Sequence, residues 1–250
     1  MNAPIPRAAT FPPALLATVA LLATAPLWIT KVGLYPYIAV EVMIWMMFAL
    51  GYNLLLGYAG LPSFGHGAFF GIGAYAFGLA QLKLGAQLWG ALAAGVAAAV
   101  VAGALVAACI SHRRGIYYAL LTIAFGQVFW FVSIKWHAVT GGEDGLLNIR
   151  RPALDLGFAQ WSLASNEALH YLVLVALVVV VMLLARLVHS PYGRILGAVK
   201  QNEARAAFSG HNTWLYKWSA FVISCAVTGL AGSFFALAQQ SAYPNVMSLH

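Results

Sequence analysis

Residues 51–79 read GYNLLLGYAGLPSFGHGAFFGIGAYAFGL, in which an apolar segment runs through a glycine-rich connector into a second apolar segment. The stretch contains three polar residues that would be unfavourable on a lipid-facing surface, Asn53, Ser63 and His66. The repeated glycines allow neighbouring backbones to come close together, or the chain to leave helical geometry. This stretch therefore predicts a membrane segment that packs tightly and lines a polar feature.

The composition of the chain predicts a polytopic helical membrane protein. Hydrophobic residues make up 62% of the 250 positions and charged residues only 8%, whereas soluble domains contain about 25% charged residues. Several segments reach the roughly 20 apolar residues that a helix needs to cross a bilayer. The net charge of +7 is interpreted as basic cytoplasmic loops of a membrane protein and not as a nucleic-acid binding surface.

The apolar segments predict an all-α fold with about seven transmembrane helices. The expected spans are 13–30, 35–57, 66–84, 88–111, 115–136, 168–189 and 217–240. The connector 186–217 is the longest basic one, so the positive-inside rule places it in the cytoplasm, together with the 112–114 turn and the N-terminus. The loop 137–167 then lies in the periplasm.

The first segment allows two interpretations. Arg7, an apolar run and the small residues at 23–25 fit a cleavable secretory signal. The other interpretation is an uncleaved first transmembrane helix. The uncleaved helix is favoured because the apolar run continues past the cleavage site.

Small residues recur at every fourth position of the fourth predicted helix. The stripe consists of Ala91, Gly95, Ala99, Gly103 and Ala107, and the pairs Gly67 with Gly71 and Gly232 with Ala236 repeat the spacing. Such spacing lets a neighbouring helix approach closely. Static packing is favoured over a face that slides during transport.

Polar residues at membrane depth are candidates for a pathway or gate, because each costs free energy unless it faces a cavity or a partner. Glu41 lies nearer the outer end of the second helix and Asn53 nearer its cytoplasmic end, and Gln127 lies in the middle of the fifth helix. Asn53 and Gln127 either hold helices together or line a pathway. Glu41 is alternatively hydrated at the interface.

The connector between the second and third helices adds Ser63 and His66 to these candidates. For His66 the alternative to a gate is a helix-start histidine that meets water. Ser224 and Thr228 are interpreted as bonding the carbonyl one turn back, without a functional role.

The connector 190–213 reads SPYGRILGAVKQNEARAAFSGHNT and predicts a short amphipathic helix from Ile195 to Phe208, ended by Gly210. Such a helix either lies on the membrane surface or docks into a groove of a soluble partner. The alanines at 204, 206 and 207 make it a poor lipid anchor and favour docking.

Five segments, in order, resemble the permease subunits of branched-chain amino acid ABC importers, and most closely the LivM-type permease. They are GYNLLLGYAGLPSFGHGAFFGIGAYAFG, GIYYALLTIAFGQVF, TGGEDGL, SPYGRILGAVKQNEARAAFSG and YKWSAFVISCAVTGLAGSFFAL, and they cover most of residues 45–245. The resemblance implies a type II ABC-importer-like permease fold. It also implies a coupling helix at 194–210 that presses into a groove on an ATPase subunit.

The residues expected to couple this chain to the ATPase come from that resemblance. They are Gly193, Arg194, Asn202, Glu203, Ala206, Ala207 and Gly210, of which the last five match the family pattern NE-x-x-A-A-x-x-G. The family usually continues beyond YPNVMSLH with further membrane helices. We therefore expect residues 1–250 to form one transmembrane permease domain that lacks its last helices.

The resemblance also implies the partners and the place of action. They are a homologous second permease, cytoplasmic ATPase subunits that bind ATP and magnesium, and a periplasmic substrate-binding protein. The chain is expected in the bacterial inner membrane with its N-terminus in the cytoplasm.

Motifs for catalysis are missing from the sequence. There is no G-x-x-x-x-G-K-[ST] phosphate loop, no Ser-His-Asp arrangement and no metal-ligand spacing, so we expect no enzyme activity, metal or cofactor in this chain. The expected function is translocation of branched-chain amino acids, with ATP hydrolysed by a separate subunit. The alternatives are a related importer for urea, short amides or other amino acids, and a self-sufficient channel or ion-coupled carrier with Glu41 or Gln127 on its pathway.

Overall fold

The computed structural model describes residues 13–152, 154–155, 160–161 and 165–247. Within these ranges the chain forms ten α-helices and one antiparallel pair of two-residue strands, β1 (Leu154–Asp155) and β2 (Gln160–Trp161). The helices are α1 (Pro13–Trp28), α2 (Tyr37–Asn53), α3 (Gly67–Leu84), α4 (Leu88–Ile110), α5 (Gly115–Lys135), α6 (His137–Thr140), α7 (Asn166–His189), α8 (Pro191–Gln201), α9 (Glu203–Phe208) and α10 (Thr213–Gln239). The predicted helical membrane fold is confirmed.

Five helices in the described part of the chain are long and apolar enough to cross a membrane. They are Tyr37–Ala59, Leu88–Ile110, Gly115–Lys135, Asn166–His189 and Thr213–Gln239. The first joins α2 to a π-helical turn at Leu54–Ala59. The other two predicted spans also form helices, but α1 has 16 residues within the described part of the chain and α3 carries Gln81 and Lys83 in its last turns. Five of the seven predicted spans therefore meet the criteria for a crossing.

Helix α10 forms the centre of the bundle and packs against α2, α3 and α4. The approach is close because small residues meet at the crossings. A Cβ on Gly73 would meet the backbone of Gly229, and a Cβ on Gly232 would meet the carbonyl oxygen of Phe70. The predicted packing stripe of α4 is buried at all five positions, Ala91, Gly95, Ala99, Gly103 and Ala107.

The basic segments meet at one end of the bundle. The Arg114 side chain of the α4–α5 turn pairs with Glu203 of α9, and the Lys200 ammonium of α8 donates to the Gly57 carbonyl at 2.6 Å. At the other end, Lys83 of α3 donates to the Ala138 carbonyl at 3.3 Å. The 112–114 turn and the connector 186–217, both assigned to the cytoplasm from the sequence, thus lie together, whereas the N-terminus with Arg7 lies outside the described residues. Which end faces the cytoplasm stays a prediction.

The chain turns back along the bundle after α10. Leu146 and Ala242 exchange two backbone hydrogen bonds of 2.9 Å, and a 3₁₀ turn follows at Pro244–Met247. The buried Met247 side chain lies against Gly71 of α3. Gly67 and Gly71 therefore pack against this returning segment, and not against a neighbouring helix as the spacing predicted.

The prediction of one continuous amphipathic helix over 195–208 is wrong, because the segment forms two helices. Asn202 has extended backbone angles, φ −158° and ψ 99°, and separates α8 from α9. Its Oδ1 accepts a hydrogen bond from the Arg205 N–H at 3.0 Å and so caps α9. The reason for the break is that asparagine satisfies a free helix-start N–H better outside the helix than inside it.

Candidate functional site

The carboxylate of Glu203 lies at the centre of the connector. Its Oε2 is 2.6 Å from Arg114 Nε, and its Oε1 is 3.0 Å from Lys217 Nζ. The Thr213 hydroxyl donates to the same Oε1 at 3.0 Å. The Glu203 side chain is only 12% exposed. Glu203, which the resemblance led us to expect at the ATPase contact, thus points into the protein, toward α10 and the α4–α5 turn.

Of the other six residues that the resemblance assigns to the ATPase contact, two are buried and four are exposed. Ala206 is buried, and so is Gly193, where a Cβ would meet the Val188 carbonyl. Arg194, Asn202, Ala207 and Gly210 are exposed. Gly210 also has a left-handed φ of +85°, which suits glycine and ends the turn after α9. The sequence did not single out the most open apolar side chain, that of Phe208, which is 90% exposed.

A chain of buried hydrogen bonds connects three helices behind the connector. The Ser224 hydroxyl of α10 donates to the Gly51 carbonyl of α2 at 2.6 Å. A hydroxyl has one hydrogen, so Ser224 Oγ accepts from His66 Nε2, 2.8 Å away. The Ser63 hydroxyl then faces the unprotonated His66 Nδ1 at 3.4 Å. His66 is 2% exposed and does not meet water, contrary to the helix-start alternative.

Aromatic rings enclose His66. The centroids of Phe48, Tyr52, Phe69 and Phe221 lie 5.6–6.1 Å from the centroid of the imidazole. The ring is therefore fixed in place by packing as well as by hydrogen bonds. From the sequence, Ser224 is expected to bond the carbonyl one turn back, without a functional role. In the structure it bonds instead to Gly51 of α2 and to His66 at the start of α3. The only signal was its position on the small, polar face that it shares with Thr228 and Gly232.

The remaining candidates for a pathway do not join this cluster. Asn53 is exposed. Its amide oxygen lies so close to Gly57 that a side chain there would collide with it. Gln127 is exposed on α5, on the same apolar surface as Leu120, Val128 and Phe131. Glu41 is partly exposed on α2. The structure therefore brings Ser63 and His66 together and leaves Asn53, Gln127 and Glu41 apart from them.

A polar recess of about 1150 Å³ lies at the end opposite the connector. Its described lining includes Asn148, Arg150, Arg151, Gln240 and Tyr243, and no carboxylate belongs to that described lining. Arg151 donates to the Asn166 amide oxygen at 2.9 Å and to the Ala238 carbonyl at 2.7 Å. Burial lowers the pKa of its guanidinium. Asn148 and Gln240 have left-handed φ values of 63° and 56°, which side chains other than glycine rarely adopt.

The side chains that could bind a metal ion are dispersed over the described ranges. No group of three or more His, Cys, Asp or Glu side chains comes together there in a way that could hold an ion. Cys109 and Cys225 are both free thiols.

Residues 34–250 match the family described as the permease component of the branched-chain amino acid transport system. The chain belongs to this family. Its apolar helices and this match make it a multi-pass membrane permease.

Two relatives of this permease are the high-affinity branched-chain amino acid transport system permease proteins LivM of Salmonella typhimurium and Escherichia coli. Each is 32% identical over an alignment of 227 positions, which covers 83% of this chain and 53% of the relative. The chain thus spans about half the length of these relatives. No solved structure matches it.

The break at Asn202 leads to a first prediction. Replacing Asn202 with alanine removes the cap of α9, which costs about 1 kcal/mol and speeds hydrogen exchange of the α9 amides about fivefold. Exchange of residues 203–208, followed by mass spectrometry, measures this effect. Replacing the exposed Gln201 with alanine is the control and leaves the exchange unchanged. Equal exchange in the two variants contradicts the capping role.

Proposed function

We propose that this chain is a permease subunit of an ATP-driven importer and that it carries branched-chain amino acids across the bacterial inner membrane. The single observation that carries the proposal is membership of the permease family over residues 34–250. The named transport function of the LivM relatives supports the substrate class. In this proposal the connector faces the cytoplasm, where the N-terminus also lies.

The connector offers the surface on which an ATPase subunit would dock. Glu203 and Ala206 hold helix α9 against the rest of the protein. Ala207 and Phe208 lie on its exposed side. An aromatic ring that is 90% exposed at the end of a short, firmly held helix suits insertion into an apolar groove. ATP and magnesium would bind to that partner.

We propose two further partners, a second permease at the exposed face of α5 and a substrate-binding protein at the polar recess. Gln127 lies on an otherwise apolar exposed face of α5, where contact with lipid would leave its amide without hydrogen bonds. We propose that this face meets the second, homologous permease and that Gln127 lines the pathway between them. The recess that contains Arg150 and Arg151 is the proposed contact for the substrate-binding protein.

The test is uptake of labelled leucine into proteoliposomes that contain the complete importer, with and without ATP. We expect uptake only when ATP and the ATPase subunits are present. Uptake that persists without the ATPase would overturn the importer and favour a self-sufficient carrier. ATP-dependent uptake of urea, but not of leucine, would overturn the substrate class alone.

Replacing Phe208 with aspartate tests the docking surface. We expect the ATPase to co-purify with this variant at least about tenfold less, because a charge would then lie in the apolar groove. The control is Gln201→Asp, which adds the same charge at an exposed position of α8. Equal loss in both variants would show that charge, and not the aromatic contact, decides binding.

A further inference from the structure

The Lys217 ammonium is buried at the start of α10. The residue is only 1% exposed, and Nζ lies 3.0 Å from Glu203 Oε1 and 3.2 Å from the Arg113 carbonyl oxygen. Removing the carboxylate partner of a buried cation is strongly destabilising, because an uncompensated charge then remains in the interior. The pair therefore fixes the distance between the start of α10 and the connector.

One carboxylate joins three parts of the chain. Glu203 is the first residue of α9, Arg114 stands at the start of α5, and Thr213 and Lys217 belong to the first turns of α10. Arg114 is 61% exposed, so its bond to Glu203 is the more hydrated of the two ion pairs. The strong link is the one between α9 and α10.

Helix α10 carries this link into the bundle. Seven residues after Lys217, Ser224 donates to the Gly51 carbonyl of α2 and accepts from His66. Seven helical residues span about 10 Å. A movement of α10 along its axis therefore reaches the buried hydrogen bonds that join α2, α3 and α10.

We propose that Glu203 is a positioning residue that clamps α9 to α10, and that it is not a contact to the ATPase. The clamp makes the connector and α10 move as one body, so that a displacement at the docking surface reaches the His66–Ser224 bond. This inference rests on the proposed importer function. The partner itself contacts the outer side of α9.

The experiment uses the complete importer in proteoliposomes. Glu203→Gln alone would leave the Lys217 ammonium without a counter-ion, so the test variant is the neutral pair Glu203→Gln with Lys217→Met. A neutral pair of similar size keeps the fold, since apolar replacements of buried ion pairs are tolerated. The control is Arg205→Gln, which removes an exposed cation from the same short helix.

The first readout is the amount of leucine transported for each ATP hydrolysed. We expect the neutral pair to bind the ATPase normally and to lower this ratio about tenfold. The Arg205→Gln control stays within about twofold of the unmodified protein. An unchanged ratio in a neutral pair that folds and assembles would overturn the clamp.

The second readout keeps the Glu203–Lys217 ion pair intact. Spin labels at Ala204 of α9 and Leu215 of α10, after both native cysteines are replaced by alanine, report the distance between the two helices in the resting and ATP-trapped states. We expect this distance to stay constant within about 2 Å. A change of more than about 5 Å, one helical turn, would overturn the clamp. Failure of the proposed function would instead appear as missing ATP-dependent uptake by the unmodified importer.

Discussion

Replacing Gly73 with valine is expected to destabilise the folded permease by about 3 kcal/mol or more. A Cβ at this position would meet the backbone of Gly229 on α10, and backbone atoms cannot move aside by a change of rotamer. Overpacking of a core costs about 1–3 kcal/mol even when side chains can adjust. The central contact of α3 with α10 therefore has no room for a side chain at Gly73.

The measurement is the thermal midpoint of the purified protein in detergent, together with its elution profile in size-exclusion chromatography. Gly90→Val is the matched control, because it introduces the same side chain into a helix where the nearest heavy atom is the Ala86 Cβ at 3.6 Å. Both substitutions carry the same cost of a β-branched residue in a helix. Equal midpoints for the two variants would contradict the close crossing.

Replacing Ser224 with alanine is expected to cost about 2–3 kcal/mol of stability. The variant would remove the hydroxyl that bonds the Gly51 carbonyl and would leave the His66 Nε2–H without an acceptor, and an unsatisfied buried group costs about 1–3 kcal/mol. Part of this cost is recovered if a water molecule enters the space left by the hydroxyl. The expected result is a lower thermal midpoint with the helical content unchanged.

Thr228→Val provides the comparison on the same face of α10. The Thr228 hydroxyl is buried without a hydrogen-bond partner, so its replacement by a methyl group is expected to be neutral or stabilising by about 1 kcal/mol. A large loss of stability in both variants would show that the hydroxyl-bearing face as a whole matters, and not the bond to His66.

The helices could be predicted from the sequence because their signal is local. Long apolar runs between basic or glycine-containing turns predicted spans at 88–111 and 115–136, and the observed helices are Leu88–Ile110 and Gly115–Lys135. The sequence predicts that the last span starts at residue 217. The helix instead begins at Thr213, since the Glu203 carboxylate neutralises Lys217 inside the protein.

The candidate sites could be predicted only in part. Ser63 and His66 stand three positions apart, so their proximity follows from the sequence. The partnership of His66 with Ser224 joins residues 158 positions apart and depends on how α10 is rotated against α2 and α3. The inward direction of Glu203 depends in the same way on the packing of α9. Such rotations result from the packing of the whole bundle, which periodicity does not encode.

The segment that returns after α10 has a consequence for the biogenesis of the protein. Its irregular backbone leaves polar groups that hydrocarbon cannot satisfy, so it cannot enter the membrane on its own as a helix does. Its place is created when α3 and α5 come together and when Leu146 is available to pair with Ala242. We therefore expect residues 240–247 to take their place only after α3 and α5 have come together.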